Sequence, residues 1–179
     1  MKWRMRTSRL RSTAVTGLLV AGLAVVGACT PTVKVSSNYD PNVDFFEIGS
    51  FTWGGIESNR LLSGFDVRRL ENALQQELVL QGYQQRARGD VLAVAYLGVL
   101  PGHKKALEYS HGLYWTETKK NFQIGNLVLD IIDARTNRLI WRGTAAAKVE
   151  PDVSLEKRER NTRRVARKLV SQFPPPDQR

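Results

Sequence analysis

Two segments of the chain repeat apolar residues every three or four positions, the spacing that places them on one face of an α-helix. The pattern predicts one helix over residues 65–81, ended by Gly82, and another over residues 154–172, followed by prolines. The apolar stripe of the first helix is Val67, Leu70, Ala73, Leu74 and Leu78. The stripe of the second is Val165, Ala166, Leu169, Val170 and Phe173. Both predicted helices are amphipathic, so we expect them to cover one face of a sheet.

The rest of the hydrophobic pattern predicts β-strands. Residues 32–37 alternate, residues 50–53 form a short strand before two glycines, and residues 91–100 are apolar on both faces, which is typical of a central strand. Residues 101–124 are polar and are expected to form a long loop or an extra hairpin. The fold class predicted from these elements is α/β (α+β), with an antiparallel-rich mixed sheet and two amphipathic helices packed on one face.

The best-defined predicted element is a hairpin over residues 126–147, whose turn holds Asn137 in a left-handed conformation. Its expected register pairs Arg142 with Asp130, Trp141 with Ile131 and Ile140 with Ile132. One face, expected to meet the helices, carries Leu127, Leu129, Ile131, Leu139 and Trp141. The other face is mixed in polarity and is expected to stay uncovered; it carries Val128, Asp130, Ile132, Ile140, Arg142 and Thr144.

The first 28 residues have the pattern of an export signal: a basic start, then an uncharged apolar run from residue 12 to residue 28. A membrane-spanning helix needs about 20 apolar residues, and this run falls short. It ends in Val26-Gly27-Ala28-Cys29, which resembles the lipobox of bacterial lipoproteins. That resemblance implies cleavage before Cys29, a lipid on Cys29 and, from Thr30, an outer-membrane address facing the periplasm. An uncleaved anchor or a chance cysteine after an ordinary signal are the alternatives.

These features divide the chain into a removed signal (1–28), a lipidated tether (29–31), one α/β domain (32–176) and a short tail (177–179). The tether would span about 10–13 Å, so the domain should sit close to the membrane. The single cysteine leaves no intramolecular disulfide and no cysteine-rich zinc site.

The net charge of +10 shrinks when the predicted signal is removed, because the signal carries five basic residues and no acidic one. The remaining +5 lies mostly in the C-terminal segment, where it is expected to be the solvated face of a helix. A basic chain would ordinarily suggest nucleic acid as a partner. Export makes that partner improbable, so we expect none.

Several short motifs occur in a characteristic order. They include Tyr39-Asp40-Pro41, Gly82-Tyr83, Leu127 to Ala134, Trp141-Arg142-Gly143-Thr144 and Phe173-Pro174-Pro175. Together they resemble the bacterial lipoprotein family catalogued as domain of unknown function 4136, over about residues 33–176. Ile48 stands where that family usually has an aromatic residue. The resemblance implies a small α/β domain on a lipid anchor, and it brings no catalytic residues.

Motifs of known chemistry are missing from the sequence, which has no P-loop, nucleophile elbow, dinucleotide fingerprint or His-Glu-x-x-His zinc motif. His103, His111 and Glu108 could offer metal ligands, but nothing in their spacing enforces a shared face. Asp130 and Asp133 fall on opposite faces of a strand, so Asp133 is expected to support the turn instead. We therefore expect no catalytic activity, no metal and no cofactor.

Binding is then the expected function. The first hypothesis is an envelope protein partner, contacted through the uncovered sheet face at Ile140, Arg142 and Thr144 and through Trp115 in the 101–124 segment. The alternative is an envelope lipid or another small apolar ligand, which requires an apolar cavity between helices and sheet. The lipid on Cys29 would hold the protein on the membrane in either case.

Overall fold

The computed structural model of the protein describes residues 32–58, 63–110, 114–150 and 152–174, with the backbone alone between residues 100 and 122. The predicted signal, Cys29, the tether and the 177–179 tail lie outside these residues. They stay predictions from the sequence.

Six strands form one mixed sheet. They are β1 (Val33–Tyr39), β2 (Ser50–Ser58), β3 (Gln84–Gln85), β4 (Val91–Ser110), β5 (Tyr114–Asp133) and β6 (Leu139–Val149). Their order across the sheet is β1-β6-β5-β4-β2-β3. The pairs β1–β6, β6–β5 and β5–β4 are antiparallel, whereas β2 runs parallel to β3 and to β4. The predicted antiparallel-rich mixed sheet is confirmed.

Two helices pack on one face of this sheet: α1 (Gly64–Leu80) and α2 (Leu155–Val170). Each begins at a serine whose side chain accepts a backbone hydrogen bond, Ser63 from Asp66 N and Ser154 from Lys157 N. Their buried stripes merge with the inward residues of β4, β5 and β6 into one core. Both predicted helices are confirmed to within about two residues at each end.

An aromatic cluster closes the core where both helices end. The ring centroid of Phe173 lies 5.3 Å from that of Trp141, 5.1 Å from that of Tyr83 and 5.9 Å from that of Phe45. Phe45 belongs to a 3₁₀ turn (Phe45–Glu47) between β1 and β2. The cluster thus joins four separate segments of the chain, and offset or edge-on aromatic pairs of this kind each add about 0.5–1.5 kcal/mol beyond their burial.

The predicted hairpin register is correct up to one β-bulge. Trp141 pairs with Ile131 as expected, but Ile132 pairs with Leu139, which leaves Ile140 as an extra residue in β6. Ile140 is 4% exposed within the core, whereas Leu139 is 44% exposed. The expectation that Leu139 meets the helices and that Ile140 lies on the uncovered face is wrong, because an extra residue reverses the alternation of side chains that precede it. Asn137 has the expected left-handed conformation, with a φ of 56°.

The polar 101–124 segment forms the extra hairpin rather than a loop. Strands β4 and β5 are 20 residues long each and stay paired from Val91 with Asp133 out to Ser110 with Tyr114. The neighbouring strands stop earlier, β2 opposite Leu97 and β6 opposite Gln123. Beyond those points β4 and β5 pair with each other alone and form a two-stranded ribbon, at about 3.4 Å per residue.

The first prediction concerns Gly143, where β6 crosses under α2. A Cβ atom there would overlap the ring of Trp141 and lie 2.7 Å from Leu169 Cδ1. We expect Gly143→Ala to lower the free energy of unfolding by about 1–3 kcal/mol, because the core must shift to admit it. Urea denaturation of the purified protein measures this. Gly98→Ala is the matched control, since nothing lies within 4 Å of a Cβ there; equal losses in the two variants would contradict the prediction.

A single carboxylate ties the start of β2 to the start of β4. Asp90 Oδ2 accepts hydrogen bonds from Ser50 Oγ at 2.7 Å, Ser50 N at 2.8 Å and Gly49 N at 3.1 Å. The Ser50 side chain, followed by the Gly49 backbone, lowers the pKa of Asp90 below its usual value of 3.8. The charged form therefore stabilises the fold.

The second prediction follows from the sign of that shift. Because the pKa of Asp90 is lower in the folded state, its carboxylate stabilises the fold fully above the unfolded-state pKa of about 3.9. This stabilisation is lost as the pH falls through the folded-state pKa. We expect the free energy of unfolding to decline below about pH 5 and to decline less steeply in Asp90→Asn. Urea denaturation between pH 7 and pH 2.5 measures both slopes; identical slopes would rule out a role for Asp90.

Candidate functional site

The sheet face opposite the helices, here called the open face, is the first candidate surface. Because side chains alternate along a strand, the residues between the core positions point to this side. Its members on the central strands are Leu92, Val94, Tyr96, Val128, Asp130, Ile132, Arg142 and Thr144. All but Asp130 are partly or well exposed, and Tyr96 is 39% exposed. The open face therefore mixes apolar and polar groups.

An ion pair lies at the centre of the open face. Arg142 donates from Nε to Asp130 Oδ1 and from Nη2 to Oδ2, both at 2.6 Å. The Asp130 side chain is 5% exposed and that of Arg142 is 51% exposed. The hydrogen bonds and the charge of Asp130 raise the pKa of Arg142 above its usual value. This two-pronged contact fixes the guanidinium plane, so Arg142 presents one outer edge to solvent.

The structure brings two of the four predicted contact residues together on the open face. Arg142 and Thr144 are exposed or partly exposed neighbours on β6, and Thr144 Oγ1 lies 2.7 Å from Ser36 Oγ on β1. Ile140, the third, is in the core for the reason given above. Trp115 stands opposite Tyr109 near the end of the ribbon, and its side chain lies outside the described residues.

Carboxylates that sequence motifs single out serve local structure. Asp133 Oδ1 accepts from Thr136 N at 2.6 Å, from Thr136 Oγ1 at 2.8 Å and from Arg135 N at 3.0 Å, which confirms its predicted role in the turn. These bonds, those of Thr136 first, lower the pKa of Asp133. Asp40 likewise accepts from Asn42, and Asp44 caps the 3₁₀ turn.

The second candidate surface is a cavity of about 200 Å³ between the N-terminal parts of the helices and the sheet. Its apolar wall includes Leu70, Leu97, Leu127, Ala147, Val149 and Val165. This is the apolar cavity between helices and sheet that the alternative hypothesis requires. It lies at the opposite end of the helix pair from the aromatic cluster.

Charged groups line one side of this cavity, and most of them are paired. Asp66 accepts from Ser63 Oγ at 2.7 Å and from Arg69 Nη1 at 2.6 Å, with Arg158 Nη1 at 3.4 Å. Burial raises the pKa of Asp66, but the hydrogen bonds from Ser63 and Arg158 outweigh it and lower the pKa overall. Glu150 Oε2 lies 3.0 Å from its counter-charge, Lys157 Nζ, and is buried without a hydrogen bond.

Arg164 differs from these paired groups. It lines the cavity and donates from Nη2 to the neutral Asn161 Oδ1 at 2.9 Å, but its Nε is buried without a hydrogen-bond partner among the described residues. Sequence reasoning missed Arg164, since it follows Arg163 in a basic helix. Its spacing of three residues from Asn161, which also lines the cavity, is a weak sequence signal.

Within the described residues, no group of three or more His, Cys, Asp or Glu side chains comes together as a metal site. The side chains of His103, Glu108 and His111 lie outside the described residues. In the same described part of the chain, neither helix is long and apolar enough to cross a membrane.

The model of a family described as Domain of unknown function (DUF4136) matches residues 35–175. A comparison with curated proteins gives no significant match.

Several solved structures are similar to this chain at low sequence identity. A PDZ domain protein from Parabacteroides distasonis has a TM-score of 0.52 at 13% identity, with 81% of this chain and 36% of that chain covered. The chain thus spans about a third of that protein. The PelC dodecamer from Paraburkholderia phytofirmans has a TM-score of 0.51 at 8% identity, with 78% and 96% covered. Lipoprotein GNA1162 from Neisseria meningitidis has a TM-score of 0.40 at 11% identity, with 70% and 97% covered.

The third prediction tests the ion pair on the open face. Replacing Arg142 with Met leaves a nearly buried carboxylate without its two donors, which should cost about 1–3 kcal/mol of unfolding free energy. The figure stays below the ~3–5 kcal/mol of a fully buried pair because Arg142 is half exposed. Urea denaturation at pH 7 measures it. Arg138→Met, which breaks a more exposed contact to Asp40 at 3.1 Å, is the control and should cost less. A larger loss in the control would refute this ranking.

Proposed function

The chain belongs to the family of domain of unknown function 4136, and from this we propose a lipid-anchored protein of the bacterial cell envelope that faces the periplasm. It acts by binding an envelope protein and has no catalytic activity. The open face is the observation that carries this proposal, because it is a partly apolar sheet surface that no described helix covers.

The lipid anchor rests on the sequence. Cleavage before Cys29 and its lipidation are supported by the basic and apolar leader and by the motif Val26-Gly27-Ala28-Cys29. Thr30, directly after the cysteine, supports localisation to the outer membrane. Three residues lie between Cys29 and Val33, where β1 begins. The four steps from Cys29 to Val33 reach at most about 14 Å, so the domain works close to the membrane surface.

The composition of the open face fits a protein partner. Protein interfaces combine apolar contact at their centre with polar groups at their rim, and they favour Tyr and Arg. Here Val94 and Val128 lie beside the Asp130–Arg142 pair, with Tyr96 exposed next to them. Because Asp130 already holds the guanidinium in place, little side-chain freedom is lost when a partner contacts Arg142.

The absence of catalysis is supported by how the polar groups are used. Active sites gather several polar groups with shifted pKa values in one cleft. In the described part of the chain, four carboxyl groups have lowered pKa values. Asp40, Asp90 and Asp133 each belong to a separate turn or strand start, and of the four only Asp66 lines the cavity. Their hydrogen bonds explain them as structural groups.

The cavity favours a second candidate function, the binding of a small apolar ligand. Its volume of about 200 Å³ and its wall of leucine, valine and alanine side chains are suited to an apolar group. The two functions use opposite faces of the sheet, so one does not exclude the other.

The fourth prediction tests the open face in cells. A photo-crosslinking amino acid at position 144 should give one discrete protein adduct, whereas the same amino acid at position 163, on the exposed side of α2, should give none of that mass. Gel mobility and mass spectrometry of the adduct make the measurement. A third position, 115, tests the predicted contact of the ribbon in the same way.

A second variant shows whether the adduct depends on the surface. Tyr96→Arg adds a positive charge beside Arg142, so it should reduce the adduct at position 144 several-fold while the protein stays folded. An adduct that persists unchanged in this variant, or that forms equally at position 163, would show that the open face is not the contact surface.

A further inference from the structure

The cavity between the helices and the sheet is apolar over most of its wall. Leucine, valine and alanine side chains from β4, β5, β6 and both helices supply that wall. Its volume of about 200 Å³ is somewhat larger than the ~150 Å³ of engineered apolar cavities that stay dry and bind benzene. Space of this size suits a narrow apolar group, such as part of a hydrocarbon chain, and is small for a drug-sized molecule of several rings.

The charges on the cavity wall do not balance internally. Asp66 is satisfied by Ser63 and Arg69 with Arg158 close by. Glu150 Oε2 has a counter-charge in Lys157 Nζ at 3.0 Å, although that oxygen is buried without a hydrogen bond. Arg164 has no carboxylate partner in the described part of the chain, and its buried Nε has no acceptor there. A buried N–H group without an acceptor, such as Nε of Arg164, loses its hydration and gains no hydrogen bond in return.

An anion that reaches the cavity would supply the missing acceptor. A carboxylate or a phosphate oxygen can bind Arg164 through charge-assisted hydrogen bonds, which are stronger than the present bond to the neutral Asn161. An inorganic anion would leave the apolar wall unfilled, and a neutral hydrocarbon would leave Arg164 unpaired.

We propose that this cavity binds an anionic amphiphile, whose hydrocarbon chain fills the apolar wall and whose carboxylate or phosphate is held by Arg164. The inference rests on the second function proposed above, which it makes specific. A free fatty acid and an anionic phospholipid share this chemistry. The predicted lipid anchor would keep the cavity within reach of both.

The fifth prediction uses the full lipidated protein in phosphatidylcholine vesicles. Three photoactivatable probes are added in separate samples: a fatty acid, the fatty alcohol of the same chain length and a phosphatidylglycerol. After illumination, peptide mapping by mass spectrometry counts the label on residues 145–149 and 158–165 only. We expect at least one anionic probe to label these segments about tenfold more than the alcohol does, and the labelled probe identifies the source.

Matched variants on α2 isolate the role of Arg164. Arg164→Gln removes the charge but keeps an amide that can bond to Asn161, and it should lower the anionic label about tenfold. Arg163→Gln removes the neighbouring charge, which does not line the cavity, and it should leave the label unchanged. Thermal unfolding of both variants by circular dichroism shows that the fold is retained.

The outcomes distinguish a failure of this inference from a failure of the proposed binding of a small apolar ligand, on which it rests. If the acid and alcohol probes label the cavity segments equally, or if Arg164→Gln leaves the anionic label unchanged, the proposed binding of an anionic head group by Arg164 is overturned. The binding of an apolar ligand would still stand. Label absent from the cavity segments with every probe would overturn both. Neither result bears on the open face and its protein partner.

Discussion

The contact of Phe173 with Trp141 holds the layers of the protein together. Phe173 follows α2, Trp141 lies in β6, and the rings of Tyr83 and Phe45 pack on Phe173 from the end of α1 and from the 3₁₀ turn. Gly143 is part of this arrangement, because β6 comes close to the Trp141 ring only where no side chain intervenes. Both helices are thereby fixed on one face of the sheet, and the other face stays uncovered by either helix.

The same packing explains why the cavity lies where it does. At the C-terminal ends of the helices, four aromatic rings fill the space between helices and sheet. At their N-terminal ends the sheet offers Gly125, Ala145 and Ala147, which have little or no side-chain volume. A core that is filled by large residues at one end and lined by small ones at the other leaves room at the second end.

The sequence predicts the helices, the fold class and most of the hairpin register, because these depend on periodic patterns and on turn residues. It fails at Ile140, since a β-bulge is a local choice that alternation does not reveal. The sequence also does not decide whether residues 101–124 form a loop or a hairpin. A ribbon outside the core needs no alternation of apolar residues, so its polar sequence resembles that of a loop. The cavity is beyond such prediction: Arg163 and Arg164 are adjacent and identical, and only the packing of α2 on the sheet distinguishes them.

The edge position of β1 has a consequence for the order of folding. Its strand partner among the described residues is β6, and the Ser36–Thr144 pair joins positions 108 residues apart. Closing so long a segment costs chain entropy that local hairpins such as β4–β5 do not incur. In a chain that emerges with its N-terminus first, β1 therefore appears early but can pair with β6 only after β6 has emerged. During that interval an unpaired strand edge is exposed right beside the predicted point of lipid attachment, where a chaperone that recognises extended backbone would find it.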